Sequence, residues 1–321
     1  MDRRQLLATT VAVTGAALLS PVAAVLPSGV ARAAARRPKV VLIGIDGLLH
    51  TRIEPSTAPN LTRLGADGLF ARGSLGAHIS ISGPSWATVL TGVWDSAHGI
   101  TGNSFDARPF AAHPTVFTRL RRARPELKTH SIATWDMIAV MAGSGDPRAG
   151  VVVTTAPFPG DGDESRTDAR TAADVVTAVT RYAPDFLFTH LDQVDHAGHF
   201  AGGARSPAYV AAITRVDELV GRIVAAVDAR AAAEPDEAWT ILVTTDHGHR
   251  PEGGHGGRTP DETATFVIAR GPDFPAGALA EDITLADLTP TVLDLFAVQA
   301  EPAVDGRSFL RRSAARPAES R

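Results

Sequence analysis

The chain has 321 residues, 44% of them hydrophobic, and a formal net charge of -4 at pH 7. It contains no cysteine, which excludes disulfides, thiolate metal sites and a cysteine nucleophile. No Lys/Arg-rich tract is interleaved with aromatics, which argues against a nucleic-acid polymer as partner, while a small anion remains compatible wherever bound cations supply local positive charge.

At the N-terminus, Arg3 and Arg4 precede a mostly apolar run from Leu6 to Leu26, and Ala31-Arg32-Ala33 forms an A-x-A-like cleavage site. The order Arg3-Arg4-Gln5-Leu6-Leu7 resembles the twin-arginine export signal of bacteria. Residues 1–33 are therefore expected to be an export signal recognised by the twin-arginine (Tat) translocase, with an uncleaved anchor as the alternative. The mature chain is expected to be secreted or held in the cell envelope, without a membrane span.

A single domain is expected over residues 38–310. It opens on Lys39-Val40-Val41-Leu42-Ile43-Gly44-Ile45-Asp46-Gly47, a continuous apolar run that reads as a strand buried on both faces of a parallel sheet. Segments 129–135, 186–192, 240–246 and 263–269 repeat that pattern, with room between them for crossover helices, as an α/β fold requires. A helix is predicted from Pro59, with Asn60 as its cap and Gly68 near its end. Residues 207–233 form another, in which Val210, Ile213, Val216, Leu219, Val220, Ile223 and Val227 make one apolar stripe, Pro207 suits the first turn and Pro235 lies beyond the end. A third short helix is expected from Leu288 or Thr289 to about Phe296. Glycines and prolines make 141–171 a loop or small excursion over a sheet edge or the active site, and 311–321 reads as a frayed tail.

Five fragments place chemistry-bearing side chains at strand ends or in glycine turns. They hold Asp46; Ser82; Asp195 with His199; Asp246 with His247; and His255 within Gly253-Gly254-His255-Gly256-Gly257. Ligands at the C-terminal ends of neighbouring parallel strands converge on the crevice where open α/β sheets bind their substrates. Imidazole and carboxylate together fit Zn2+, Mn2+ or Fe2+ better than the all-oxygen sites of Mg2+ or Ca2+. Taken singly, Asp46 is as well explained as a turn cap, and His199 as a surface partner of Asp195.

In this order the fragments resemble the alkaline phosphatase superfamily, and within it the type I phosphodiesterase/nucleotide pyrophosphatase family. There an Asp closes the first strand, a Thr or Ser nucleophile follows, and Asp-x-x-Gly-His, Asp-His-Gly and Gly-x-His-Gly come after it. The match spans residues 39–257, and Ala58-Pro59-Asn60-Leu61, Thr91-Gly92 with His98-Gly99-Ile100, and the stretch around 287–293 extend it. The resemblance implies an α/β/α sandwich with a mostly parallel central sheet and two divalent ions, expected to be Zn2+. One ion would be held by Asp46, Asp246, His247 and the Ser82 oxygen, the other by Asp195, His199 and His255. Asp192 competes with Asp195 on position, but only Asp195 fits the family's spacing.

Ser82 is preferred to Ser80 and Ser85 as nucleophile because it stands two residues before Pro84, as in the diesterase pattern, and also at the first position of a sulfatase-like Cys/Ser-x-Pro-Ser pattern. Ser85 falls where the diesterases usually carry Asn, and is expected to donate a hydrogen bond to a non-bridging oxygen of the substrate. The resemblance implies hydrolysis of a phosphodiester or nucleotide pyrophosphate, a small phosphate ester or nucleotide, through a phosphoryl-serine intermediate. A phosphomonoesterase, a sulfatase, and an exported metal-containing binding protein without turnover are the alternatives. Trp86 standing where sulfatases carry Arg weighs against the sulfatase. His98, His113 and His130 are expected to be structural, His196 and His249 to be exposed loop residues or neighbours of ligands, and Trp86, Trp94 and Phe105 to be packing residues. Substrate selection is expected to rest on loops near 83–113, 141–171 and 198–207.

Overall fold

The computed structural model describes residues 36–310; the expected export signal and the tail 311–321 lie outside the described residues. Eight strands form one sheet: β1 Arg37–Ile45, β2 Leu69–Ser74, β3 Thr129–Ala133, β4 Val151–Thr154, β5 Phe186–Leu191, β6 Glu237–Thr244, β7 Ala264–Arg270 and β8 Ala278–Glu281, in the order β4-β3-β5-β1-β6-β7-β2-β8. The stretch from β4 to β6 is parallel throughout, and β1 lies between β5 and β6.

Alternation along β1 sorts the two layers. Val40 and Leu42 belong to one core with the helices Ser82–Thr91, Val116–Ala123 and Leu288–Leu295, while Val41, Ile43 and Ile45 belong to the other with Pro59–Ala66, Ser165–Thr177 and Pro207–Ala233. The result is the expected α/β/α sandwich. The same alternation puts Gly44 and Asp46 on the Ser82 side, and this is what brings the end of β1 to the candidate nucleophile.

The helix Pro207–Ala233 matches its predicted range, with Ser206 as a side-chain cap accepting from the Tyr209 N–H at 3.1 Å. Its buried stripe begins at Tyr209 rather than at the half-buried Val210. The Tyr209 hydroxyl donates to Gly47 O at 2.5 Å and accepts from the Leu49 N–H at 2.8 Å, so this helix pins the turn that follows β1.

Several expectations are corrected. β7 runs antiparallel to both β6 and β2, because a loop with only a one-turn helix, Pro260–Thr263, returns the chain from the end of β6 without a crossover. Its apolar run comes from burial under both helical layers, not from parallel pairing. Asn60 does not cap its helix: Ala58 precedes it without a side-chain cap, and Asn60 instead reaches Asp217, donating through its amide at 2.8 Å. Ser82 opens a helix rather than sitting at a strand end or in a glycine turn. Segment 141–171 contains the edge strand β4 and the start of helix Ser165–Thr177, and β2 and β8 lack a continuous apolar run.

Candidate metal centre

The chain delivers its ligands to one edge because β1, β5 and β6 are adjacent and parallel. Asp46 follows β1, the helix Gln193–Phe200 carrying Asp195 and His199 follows β5, and Asp246 and His247 follow β6. On that short helix Asp195 and His199 are four residues apart and therefore share a face, with His199 Nε2 3.4 Å from Asp195 Oδ2.

His247 Nε2 lies 3.5 Å from Asp46 Oδ1, 3.1 Å from Asp246 Oδ2 and 3.3 Å from Ser82 Oγ. Asp46 Oδ1 and Asp246 Oδ2 are both buried without a hydrogen-bond partner. The His247 ring donates from Nδ1 to Gly248 O at 3.1 Å, which leaves its Nε2 with a lone pair. Two carboxylate oxygens, an imidazole lone pair and a hydroxyl thus face one another in a dry interior. Such an arrangement repels itself unless a cation sits among the donors, so the residues fit a divalent metal ion.

The second group is built on Asp195. His199 Nε2 and His255 Nε2 face each other at 2.8 Å, and His255 Nε2 is 3.4 Å from Asp195 Oδ1. His255 Nδ1 donates to Ser80 O at 2.5 Å, so its Nε2 also offers a lone pair inward. Ser80 is fixed in turn: its hydroxyl donates to Gly257 O and accepts from the Gly256 N–H, both at 2.9 Å. That hydroxyl is engaged on both sides, whereas the Ser82 hydroxyl faces His247. The His247 and His255 rings stack at 3.7 Å between centroids and join the two groups into one centre.

Electrostatics follow from this crowding. Burial, then the Asp46 charge, pushes the Asp246 carboxyl well above its ordinary value, and the same two causes raise Asp195 to about 7. Burial drives His247 well below its usual range, with His255 adding to the effect. Asp46 behaves oppositely: burial would raise it, but the hydrogen bond from His190 and the charges of His247 and His190, together with Trp86, hold it low.

The geometry brings together Asp46, Ser82, Asp195, His199, Asp246, His247 and His255. Among the described residues, three sets of side chains are close enough to hold an ion: Asp46 with Asp246 and His247; Asp195 with His199, His249 and His255; and Asp46 with His190 and Asp192. Ser85 lies one turn along the helix from Ser82 and is buried.

Of the two readings given to His249, the neighbour of a ligand is the one that fits, while His190 and Asn103 escaped the sequence pattern. His249 is fully buried, and its Nε2 meets Asp195 Oδ1 at 2.7 Å. It fits there because Gly47 and Gly198 lack side chains; a Cβ on either would fall within 2.9 Å of the imidazole. Its place in Asp246-His247-Gly248-His249 was the only available signal. His190 lies one residue before the end of β5 with its Nε2 2.8 Å from Asp46 Oδ2, hidden in a strand that reads as plain core. Asn103 accepts the Gly83 N–H through Oδ1 at 2.8 Å, and so holds its amide against the first turn of the Ser82 helix.

The model of the family described as type I phosphodiesterase / nucleotide pyrophosphatase matches residues 40–263. The chain belongs to this family. It thereby falls within the alkaline phosphatase superfamily. Curated relatives include a 2,3-bisphosphoglycerate-independent phosphoglycerate mutase of Streptomyces coelicolor, 31% identical over 42% of this chain and 27% of its own length. An uncharacterized pyrophosphatase/phosphodiesterase of Schizosaccharomyces pombe is 25% identical over 66% of this chain and 45% of its own. The chain thus spans less than half the length of these relatives. Among solved structures, a phosphonate monoester hydrolase of Agrobacterium radiobacter superposes with a TM-score of 0.66 at 17% identity, covering 89% of this chain and 79% of that one. Murine ectonucleotide pyrophosphatase / phosphodiesterase 5 superposes at 0.64 and 16% identity, covering 86% of this chain and 99% of that one. These superpositions establish the same fold.

Proposed function

We propose that the chain is a metal-dependent hydrolase that cleaves phosphodiester or nucleotide pyrophosphate bonds through Ser82. The observation that carries this reading is the position of Ser82 Oγ, 3.3 Å from His247 Nε2 and beside two unpartnered carboxylate oxygens. Ser82 is the first residue of a ten-residue helix, whose dipole favours an anion at that end. When bound, the cations would lower the proton affinity of the serine hydroxyl and take up charge developing on the phosphoryl and leaving oxygens.

In this reading Asp46, Asp246 and His247 hold one ion with Ser82, and Asp195, His199 and His255 hold the other, with zinc the expected metal. The Ser82 oxygen forms a bond to phosphorus as the ester oxygen departs, and water then breaks the phosphoryl-serine bond to regenerate the hydroxyl. Ser85, one turn along the same helix face, donates to a non-bridging oxygen. Asn103 steadies the first turn of that helix. His249 orients Asp195, and the carbonyls of Gly248 and Ser80 fix the tautomers of His247 and His255.

The test is metal content after purification, together with turnover of bis-p-nitrophenyl phosphate, p-nitrophenyl phosphate and p-nitrophenyl sulfate. Preference for the diester supports the reading, and strong monoester preference overturns it in favour of a phosphomonoesterase. Metal uptake without turnover of any substrate would make the chain a binding protein. The same reading has the enzyme acting outside the cytoplasm after twin-arginine export; loss of export when Arg3 and Arg4 are both replaced by Lys tests it. No helix among the described residues is long and apolar enough to cross a membrane.

A further inference from the structure

Asp46 is held differently from the other carboxylates of the centre. Its Oδ2 atom accepts from Trp86 Nε1 at 2.8 Å and meets His190 Nε2 at the same distance, while its Oδ1 makes no hydrogen bond and faces His247. The two donors arrive from different elements. Trp86 comes from the Ser82 helix and is fully buried against β1, where Gly44 leaves room for it; a Cβ at Gly44 would stand 2.4 Å from the indole. His190 comes from β5, directly opposite Gly44 in the strand register. The indole and imidazole meet edge to face at 5.2 Å and 78°, so each ring limits the movement of the other.

We infer that Trp86 and His190 form a two-donor clamp that commits one oxygen of Asp46 to the protein and presents the other, singly, to the cation. Both are positioning residues, acting through Asp46. A carboxylate with one oxygen saturated by two N–H donors cannot turn to offer both oxygens to an ion, and it keeps its orientation when the ion is absent. The clamp gives Trp86 a role beyond packing, since the ring fills the space under Gly44 and its N–H selects the ligand atom. Because Trp86 follows Ser82 by four residues on one short helix, the element that carries the candidate nucleophile also sets the ligand beside it.

The inference rests on the metal reading of the site, and its test separates the two. Metal-free full-length protein is titrated with Zn2+ against a competing chelator, and its thermal unfolding is followed in parallel. Wild-type protein is expected to take up two ions. Trp86→Phe keeps an aromatic ring and deletes the N–H; His190→Leu deletes the other donor; His190→Gln restores a side-chain N–H. Each deletion is expected to weaken one of the two ions about 10- to 100-fold and to leave the other within about twofold. His190→Gln is expected to recover most of the lost affinity. The clamp is overturned if Trp86→Phe and His190→Leu both bind two ions as tightly as wild type, including the case in which their unfolding temperatures fall while affinity is unchanged. Wild-type protein that takes up no zinc would overturn the metal reading and the clamp together.

Discussion

The two ends of β1 both bury charge, and they resolve it in opposite ways. At the start of the strand, Lys39 donates to Asp185 and to Ala183 O, both at 2.8 Å, and lies 3.9 Å from Glu237. Glu237 accepts two hydrogen bonds from Arg230 and one from Trp239, each at 2.8 Å. Burial would raise the Glu237 carboxyl, yet these partners hold it below its ordinary value. At the far end, burial and like charge drive Asp246 and Asp195 upward, and carboxylate oxygens are left without partners. One end is self-sufficient and serves folding; the other is incomplete as protein alone, and that deficit is what a cation would supply.

The sharpest way to break this contrast is at Ser82. Ser82→Ala is expected to lower turnover by at least about 10^3-fold while two zinc ions are still bound and the unfolding temperature hardly moves, as steady-state kinetics and metal analysis would show. Retained turnover would take Ser82 out of the nucleophile role.

At the opposite end, Lys39→Met is expected to cost about 3 kcal/mol in denaturant unfolding and to leave kcat/KM of the folded enzyme unchanged. The cost lies near the lower limit for a broken buried pair because Arg230 still satisfies Glu237 and Asp185 is partly exposed. A smaller effect of opposite sign is expected for Asp246→Asn. It should raise the stability of the metal-free protein by about 1 kcal/mol while abolishing zinc uptake at that site, since a neutral amide stays buried without having to take up a proton and can keep the bond from the Gly47 N–H at 3.1 Å. A metal-free Asp246→Asn protein less stable than wild type would show that the metal end is not strained by its charges.

The last effect is a slope with pH. Asp195 has its carboxyl raised to about 7, so its protonated form is the one favoured by folding, and its contribution is fully present below the unfolded value near 4 and lost as pH rises to about 7. The metal-free protein should therefore unfold at progressively lower temperature across that interval, and Asp195→Asn should flatten the trend. Glu237 works the other way, its contribution being lost as pH falls below the ordinary carboxylate range.

How much of this was legible in the sequence follows the same division. The interior strands β1, β5 and β6 announce themselves as unbroken apolar runs because both faces are covered, and each is followed by an acidic residue that the fold then gathers at one edge. β4 and β8 were not legible because their edge positions leave them partly exposed. Direction was hidden too: the apolar run of β7 is the same whether the strand lies parallel or antiparallel. His190 and Trp86 escaped for a different reason. A histidine inside a core strand and a tryptophan four residues beyond a serine carry no spacing signature, and their relation to Asp46 exists only once β1, β5 and the Ser82 helix are packed together.

The reversed strand β7 has one further consequence. Between the end of β6 and the start of β7 the chain makes no crossover of the sheet, so Asp246, His247, His249 and His255 arrive as one contiguous cassette, anchored by the Gly248 N–H to Glu262 O at 3.0 Å and by Ser80 to Gly256 and Gly257. Extra residues spliced in after Gly257 would enlarge the rim without rethreading any strand, and closing a longer loop costs little entropy. Natural variation can thus remodel the entrance to this centre by insertion while the ligands keep their places.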